Sequence, residues 1–291
     1  MNSQISLENH RALASFALDA GASISSLQLS SGNSTRALLA FHPNYQFENA
    51  WLFPFPNRLK NGIYTFEGQT YQFPQNDMEN RPNALHGFIS NKHFEIVHRT
   101  KSACTLKYEY NGDYAYYPFA FSITLGLELL PDALTCNVMV KNTGQQNMPC
   151  GFGWHPYFVA DEGLETLSLK LPGSTIVELD PLGIPTGKEH PSHCFDESRV
   201  IHDTHLDDCF RLNLTNGLSQ SELLFENGDL IEIWQDASFP FTQVYTHPSR
   251  KSIAIEPMTC GVNVLNSGDG LIVLAPDQSK SFSCGLRYIV R

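Results

Sequence analysis

Stretch after stretch of this chain alternates apolar and polar residues with a period of two, and almost nothing in it repeats with the period of a helix. In Ala133-Leu134-Thr135-Cys136-Asn137-Val138-Met139-Val140-Lys141, the residues Leu134, Cys136, Val138 and Val140 share one face while Thr135, Asn137 and Lys141 share the other. That is the pattern of a half-buried strand. Phe121 to Leu129 alternates likewise, and Leu130-Pro131-Asp132 supplies turn chemistry between the two, so they are expected to pair as a hairpin. The pattern recurs at Ala14-Phe16-Leu18, Leu27-Leu29, Leu106-Tyr108-Tyr110, Ile231-Ile233 and Ile253-Ile255, and no segment offers three turns of helical spacing with caps. Many short strands without helices between them can bury their apolar faces only against one another, which predicts an all-β fold, a large antiparallel β-sandwich. A sandwich can take up all 291 residues as a single unit. The best linker candidate, Thr143-Gly144-Gln145-Gln146-Asn147, is too short to divide the chain, so one domain over residues 1–291 is expected.

Bulk chemistry removes several functional classes. With 42% hydrophobic and 17% charged residues, the chain has the composition of a folded protein. A formal net charge of −11 and the lack of any Lys/Arg run argue against a nucleic-acid partner, whose affinity rests on cations that displace phosphate counterions. The N-terminus Met1-Asn2-Ser3-Gln4-Ile5-Ser6-Leu7-Glu8 has no basic region leading into an apolar one, and no long apolar run follows. A cytoplasmic location with no membrane partner is expected. Seven cysteines, odd in number and without a C-x-x-C, fit reduced thiols. Phosphate-loop, dinucleotide and serine-hydrolase fingerprints are missing.

Several polar groups stand out against this apolar background. Gly151-Phe152-Gly153-Trp154-His155-Pro156-Tyr157-Phe158 sets a histidine among aromatics. It reads either as a hydrogen-bonded core residue or as a titratable group beside flat faces suited to a sugar ring. In Ile253-Ala254-Ile255-Glu256-Pro257 the isoleucines share a face, so Glu256 points to the other, and Pro257 is expected to break the ladder there. A cleft carboxylate and a solvated edge residue both fit that placement. His86 precedes Gly87, where the backbone can approach a ligand or simply turn. Arg58 sets a guanidinium fork in the aromatic and proline-rich Phe55-Pro56-Asn57-Arg58-Leu59, able to donate to hydroxyls or to stack. Asp207 and Asp208 form a carboxylate pair without enough oxygens for a calcium loop. His190-x-x-His193 and His202-x-x-His205 have metal-like spacing but no recognisable helix, and surface histidines are the expectation.

The order and spacing of these motifs resemble the aldose 1-epimerase (galactose mutarotase) family. The residues that carry the resemblance are Asn57-Arg58, Gly62-x-Tyr64-x-Phe66-x-Gly68-x-x-Tyr71, Leu85-His86-Gly87, His155-Pro156-Tyr157-Phe158, Asp207 and Glu256-Pro257-Met258-Thr259. It runs from about Gly21 to the Leu271-to-Tyr288 stretch. Phe88 after Gly87 and the surroundings of Glu256 depart from the commoner galactose-specific pattern and place the chain in a divergent bacterial-type branch.

The resemblance implies a galactose mutarotase-like supersandwich with no metal and no organic cofactor, acting on a small-molecule sugar as a monomer or homodimer. It also implies that His155 is the general acid, that Glu256 is the general base, and that Arg58, His86 and Asp207 bind sugar hydroxyls. A free aldohexose is the expected substrate. A hexose 6-phosphate ranks second, because a phosphate dianion calls for converging arginines or lysines and only Arg58 and Arg81 fall near the motifs. A non-catalytic carbohydrate-binding protein is the alternative of another class. If Asp207 and Glu256 lie close to His155 they are expected to hold its imidazolium form and raise its pKa.

Overall fold

A computed structural model describes residues 3–40, 47–214 and 217–291. The expected hairpin is present: Phe121–Leu129 pairs antiparallel with Ala133–Asn142, in a register that sets Leu129 opposite Leu134 and Phe121 opposite Asn142. This hairpin lies within a nine-stranded antiparallel sheet that continues through Ser279–Ile289, Leu230–Asp236 and Leu218–Leu224. A second, eight-stranded sheet runs Pro185–Ser192, Ser174–Leu179, Asp207–Leu212, Phe241–Thr246, Ser252–Met258, Gly153–Trp154 and Trp51–Leu52, with Tyr157–Val159 also paired to Ser252–Met258. A four-stranded sheet of N-terminal strands, Gln4–Asn9 to Ser34–Ala37, completes the main layers. The α-helix among the described residues is the single turn Val264–Ser267. No helix there is long and apolar enough to cross a membrane, and all seven cysteines are free thiols.

Alternation makes the layers adhere. Leu125, Val138 and Leu286 from the nine-stranded sheet, Val244, Ile253 and Ile255 from the eight-stranded one, and Leu7, Phe16 and Leu27 from the N-terminal sheet belong to one continuous buried cluster. Trp154 is part of it and stacks on Trp51 with ring centroids 5.4 Å apart.

The strand Ser252–Met258 is buried along its whole length, so both of its faces are covered. Its odd residues Ile253 and Ile255 enter the main core. On the opposite face Ala254 packs in a small cluster with Tyr157, and Met258 in another with Phe241 and Cys209. Glu256 lies between these two clusters.

One expectation about this strand is corrected. Pro257 does not break the ladder: it stands opposite Thr242, and pairing continues to Met258 opposite Phe241. The Ile255 amide donates to the Pro156 carbonyl and the Thr259 amide to the Phe152 carbonyl. Alternation therefore turns the nitrogen of Pro257, which has no hydrogen to donate, to that same side. There the neighbouring chain is interrupted between Gly153–Trp154 and Tyr157–Val159. A proline costs no hydrogen bond where the partner strand is already broken.

Ile255 is fully buried between the sheets, so Ile255→Ala should cost about 2–5 kcal/mol. Urea unfolding followed by tryptophan fluorescence should show a lower midpoint with an unchanged slope.

Candidate active site

Three adjacent strands of the eight-stranded sheet build the floor of a cavity from their outward-facing residues. Register sets Asp207 opposite Tyr245 and Gln243 opposite Glu256, so Asp207, Gln243, Tyr245 and Glu256 share the outer face. Asp208 shares the inner face with the core residues Phe210 and Leu212; burial and then the Asp207 charge push its carboxyl above the usual range. Asp207 is therefore the member of the pair that reaches the cavity.

His155 comes from the interruption opposite Pro257. Its backbone amide donates to the Ala50 carbonyl, and its ring stacks on Tyr157 with centroids 5.0 Å and planes 16° apart. Its Nε2 lies 3.4 Å from a carboxylate oxygen of Glu256. Tyr157 faces the cavity, whereas Trp154 belongs to the core.

The facing wall is the short pairing of Arg58–Leu59 with Ala84–Leu85. Asn57 and His86, next to it, both have left-handed backbone, with φ of 58° and 60°. The two residues bond reciprocally: the His86 amide donates to the Asn57 carbonyl at 2.9 Å, and the Asn57 amide donates to His86 Nδ1 at 3.0 Å. An Nδ1 that accepts leaves the proton of the neutral ring on Nε2. Burial, then the neighbouring His155 ring and the Arg58 guanidinium, hold the His86 pKa well below its ordinary value, so His86 is a neutral donor. Gly87 follows with φ of 67°, and a side chain there would overlap the Phe53 carbonyl. The turn that presents His86 thus depends on glycine.

A network holds this wall to the floor. Asn57 Nδ2 donates to Gln243 Oε1 at 3.1 Å, and Gln243 Nε2 donates to Asp207 at 2.7 Å. Arg58 Nε donates to Asp77 at 3.1 Å, and its Nη2 lies 3.6 Å from Glu79 and 3.8 Å from Asp207. The space enclosed is about 370 Å³, lined by Arg58, His86, His155, Asp207 and Glu256 together with Phe47, Asn57, Asp77, Glu79, Tyr157, Gln243 and Tyr245. All five residues singled out in the sequence therefore meet in one cavity. Asp77, Glu79 and Gln243 were not singled out, and Asn57 entered only as the neighbour of Arg58 in a motif that carries the resemblance. A buried glutamine in the apolar strand Phe241–Thr246 is a legible anomaly, whereas Asp77 sits in an irregular segment with no pattern to betray it.

Burial decides the electrostatics. His155 is 6% and Glu256 2% exposed. The expectation that nearby carboxylates raise the His155 pKa is overturned, because desolvation lowers it to about 3. Burial, then the Asp207 charge, raises Glu256 well above the usual carboxyl range, against the pull of Arg58. Both shifts favour the uncharged forms, a neutral imidazole beside a carboxyl that holds its proton more tightly than usual.

Elsewhere, His190 contacts Glu178 at 2.8 Å and His193 contacts Asp196 at 3.0 Å, both pairs at the exposed surface. No group of three or more His, Cys, Asp or Glu side chains with metal-binding geometry occurs among the described residues.

The family model "Aldose 1-epimerase" matches residues 3–287. This chain belongs to the aldose 1-epimerase family. It is 28% identical to the uncharacterized protein YihR of Escherichia coli (strain K12) over 231 residues, 77% of this chain and 73% of that one. Among solved structures it resembles a galactose mutarotase-like protein from Clostridium acetobutylicum, with a TM-score of 0.85, 20% identity and coverage of 99% and 95% of the two chains. It also resembles the galactose 1-epimerase of Lactobacillus acidophilus, with a TM-score of 0.78, 17% identity and coverage of 98% and 93%. At such identities the likeness establishes the fold, the galactose mutarotase-like supersandwich.

The raised Glu256 pKa has a consequence for stability. A carboxyl whose pKa rises on folding stabilises the fold only while it stays protonated, so its contribution shrinks as pH climbs above the unfolded value of about 4.5. Glu256→Gln removes that loss while keeping the shape. Thermal melts should show the variant gaining on the wild type as pH rises above 4.5, until the raised pKa of Glu256 is passed.

Proposed function

We propose that this protein is an aldose 1-epimerase that interconverts the α and β anomers of a free aldohexose, with Glu256 and His155 as the proton-transfer pair. The observation that carries this reading is the 3.4 Å contact between the two side chains, deep in a cavity whose volume lies in the range of small-molecule sites. Its polar lining includes groups able to bind hydroxyls, among them Arg58, the Nε2–H of His86, and Asp207. Glu256 Oε2 and His155 Nδ1 are buried without a hydrogen-bond partner among the described residues.

Anomerisation removes the proton of the C1 hydroxyl and delivers one to the ring oxygen. The C1–O5 bond breaks, C1 becomes an aldehyde, rotation about C1–C2 exchanges its faces, and the O5 hydroxyl adds back. Ring opening consumes the ionised carboxylate of Glu256 and the imidazolium of His155, and it leaves the carboxylic acid and the neutral imidazole. Reclosure runs the same transfers backwards and restores the ion pair. The two forms differ only in where one proton sits. The form favoured by burial is the one that accompanies the open-chain aldehyde, and sugar hydroxyls donating to the carboxylate offset the cost of the other. Arg58, His86 and Asp207 hold the remaining hydroxyls while C1 rotates.

The experiment is polarimetry of freshly dissolved α-D-glucose, α-D-galactose and other aldoses. The protein should speed relaxation beyond the buffer rate for at least one free sugar. Glu256→Gln and His155→Asn should each lower kcat/KM by about a hundredfold or more, the contribution of a positioned acid or base, with the fold kept as judged by circular dichroism. A protein that accelerates no aldose contradicts the proposal, and a variant that retains full turnover removes its residue from the mechanism.

The shared proton also fixes the pH profile. A second proton joins the pair only when His155 titrates, near pH 3, and the first leaves only at the raised pKa of Glu256. After subtraction of the buffer rate, the acid limb of kcat/KM should fall near pH 3, where His155 titrates, and the other limb above the ordinary Glu value. A bell with limbs near 4.3 and 6.5, the ordinary values for Glu and His, would contradict a desolvated pair.

A further inference from the structure

The cavity carries an unusual charge arrangement around its arginine. Arg58 is the only lysine or arginine among the described lining residues, and three carboxylates surround its guanidinium: Asp77 at 3.1 Å, Glu79 at 3.6 Å and Asp207 at 3.8 Å. Asp77 is the buried centre of this group, its side chain 1% exposed. It accepts from Arg58 Nε, from Arg81 Nε at 3.2 Å, from Asn83 Nδ2 at 3.2 Å and from the Glu79 amide at 3.1 Å. Burial opposes the charge of Asp77, but these donors and the two arginines outweigh it and keep the carboxyl below its ordinary range. Glu79 stands at the rim, bridging Arg58 and Arg81, whose Nη2 is 2.9 Å away. On the other side of Arg58 the turn at Gly183 leaves no room for retreat: a Cβ there would lie 2.8 Å from Arg58 Cδ.

We propose that Asp77 and Glu79 determine substrate charge: they fix Arg58 as a donor to neutral hydroxyls and exclude aldoses that carry a phosphate. This rests on the epimerase reading of the same cavity. A phosphate dianion needs several unopposed cations converging on it. Here the one lining cation is already neutralised, and an approaching anion meets carboxylates at Glu79 and Asp207 as soon as it meets the guanidinium. The barrier is repulsion built into the rim, which discriminates against the wrong ligand without adding affinity for the right one. Asp77 acts through Arg58 and is a positioning residue. Glu79, being more than half exposed, acts through a partly screened field.

The test compares the free aldose that the wild type turns over fastest with its own 6-phosphate, by NMR magnetisation exchange between anomers, for wild type, Glu79→Gln and Asp77→Asn. The readout is the ratio of kcat/KM for the phosphate to kcat/KM for the free sugar. Glu79→Gln should raise this ratio about tenfold at low salt, the effect of removing one like charge at the rim. Raising ionic strength from 0.02 to 0.5 M should raise the wild-type ratio and move the Glu79→Gln ratio much less. Asp77→Asn should raise the ratio too, and should raise KM for the free sugar with a much smaller change in kcat, as expected when binding rather than proton transfer is disturbed. If Asp77→Asn does not fold, the rim variant and the salt dependence decide alone. Comparable turnover of both sugars by the wild type, or a Glu79→Gln ratio within twofold of wild type, overturns this inference while leaving the epimerase reading intact. A wild type that exchanges no free aldose overturns both.

Discussion

A histidine and a glutamate 3.4 Å apart and almost wholly out of water can share one proton at little cost, but neither two protons nor none. Removing an ion from water is expensive unless it is paired and hydrogen-bonded, so the lone proton settles where it leaves both groups uncharged. The groups around the pair follow from that constraint. Asp207 and Arg58 oppose one another in their effect on Glu256, and the second histidine in the cavity, His86, is neutral and carries its proton on Nε2. Glu79 stands exposed at the rim, and the buried guanidinium of Arg58 is matched by the buried carboxylate of Asp77, so the charges beside the pair offset one another. A reaction that only moves a proton from one oxygen of a sugar to another gains from such a setting, since neither state of the pair has to be charged by exchange with solvent.

The fold creates this setting through one local irregularity in an otherwise regular sheet. Between Gly153–Trp154 and Tyr157–Val159 the partner of Ser252–Met258 breaks, and His155 issues from the break. Directly across stand Glu256 and Pro257. The proline that cannot donate and the strand that cannot accept fall at the same place, so neither leaves an unsatisfied group. The aromatics of the same stretch then divide by side: Trp154 stacks on Trp51 in the core, and Tyr157 stacks on His155 and braces its ring plane.

The layers were legible because the sequence alternates. Leu134, Cys136, Val138 and Val140 are buried as a set, and the hairpin across Leu130-Pro131-Asp132 forms where the turn residues stand. The outward direction of Glu256 was legible for the same reason, but its burial was not, because Ala254 and Met258 gather their covering clusters from strands distant in sequence. Distance also explains the inverted expectation for His155. Charge partners can be guessed from a motif, whereas desolvation depends on everything packed around the ring. Asp77 left no trace, since its role arises from four donors brought to one irregular segment. Tyr64 and Tyr71 show the converse. They belong to a family motif, yet they are cross-strand partners stacked at 4.9 Å, and Tyr64 is in the core.

The central claim is that desolvation keeps His155 neutral while Glu256 holds the proton of the pair. The most direct measurement is the pH dependence of the ¹⁵N shifts of the His155 imidazole in the sugar-free protein, assigned by comparison with His155→Asn. A desolvated pair predicts a neutral ring, with one protonated and one bare nitrogen, throughout pH 5 to 8. An imidazolium that forms on acidification with a midpoint near 6.5, the ordinary histidine value, would contradict it.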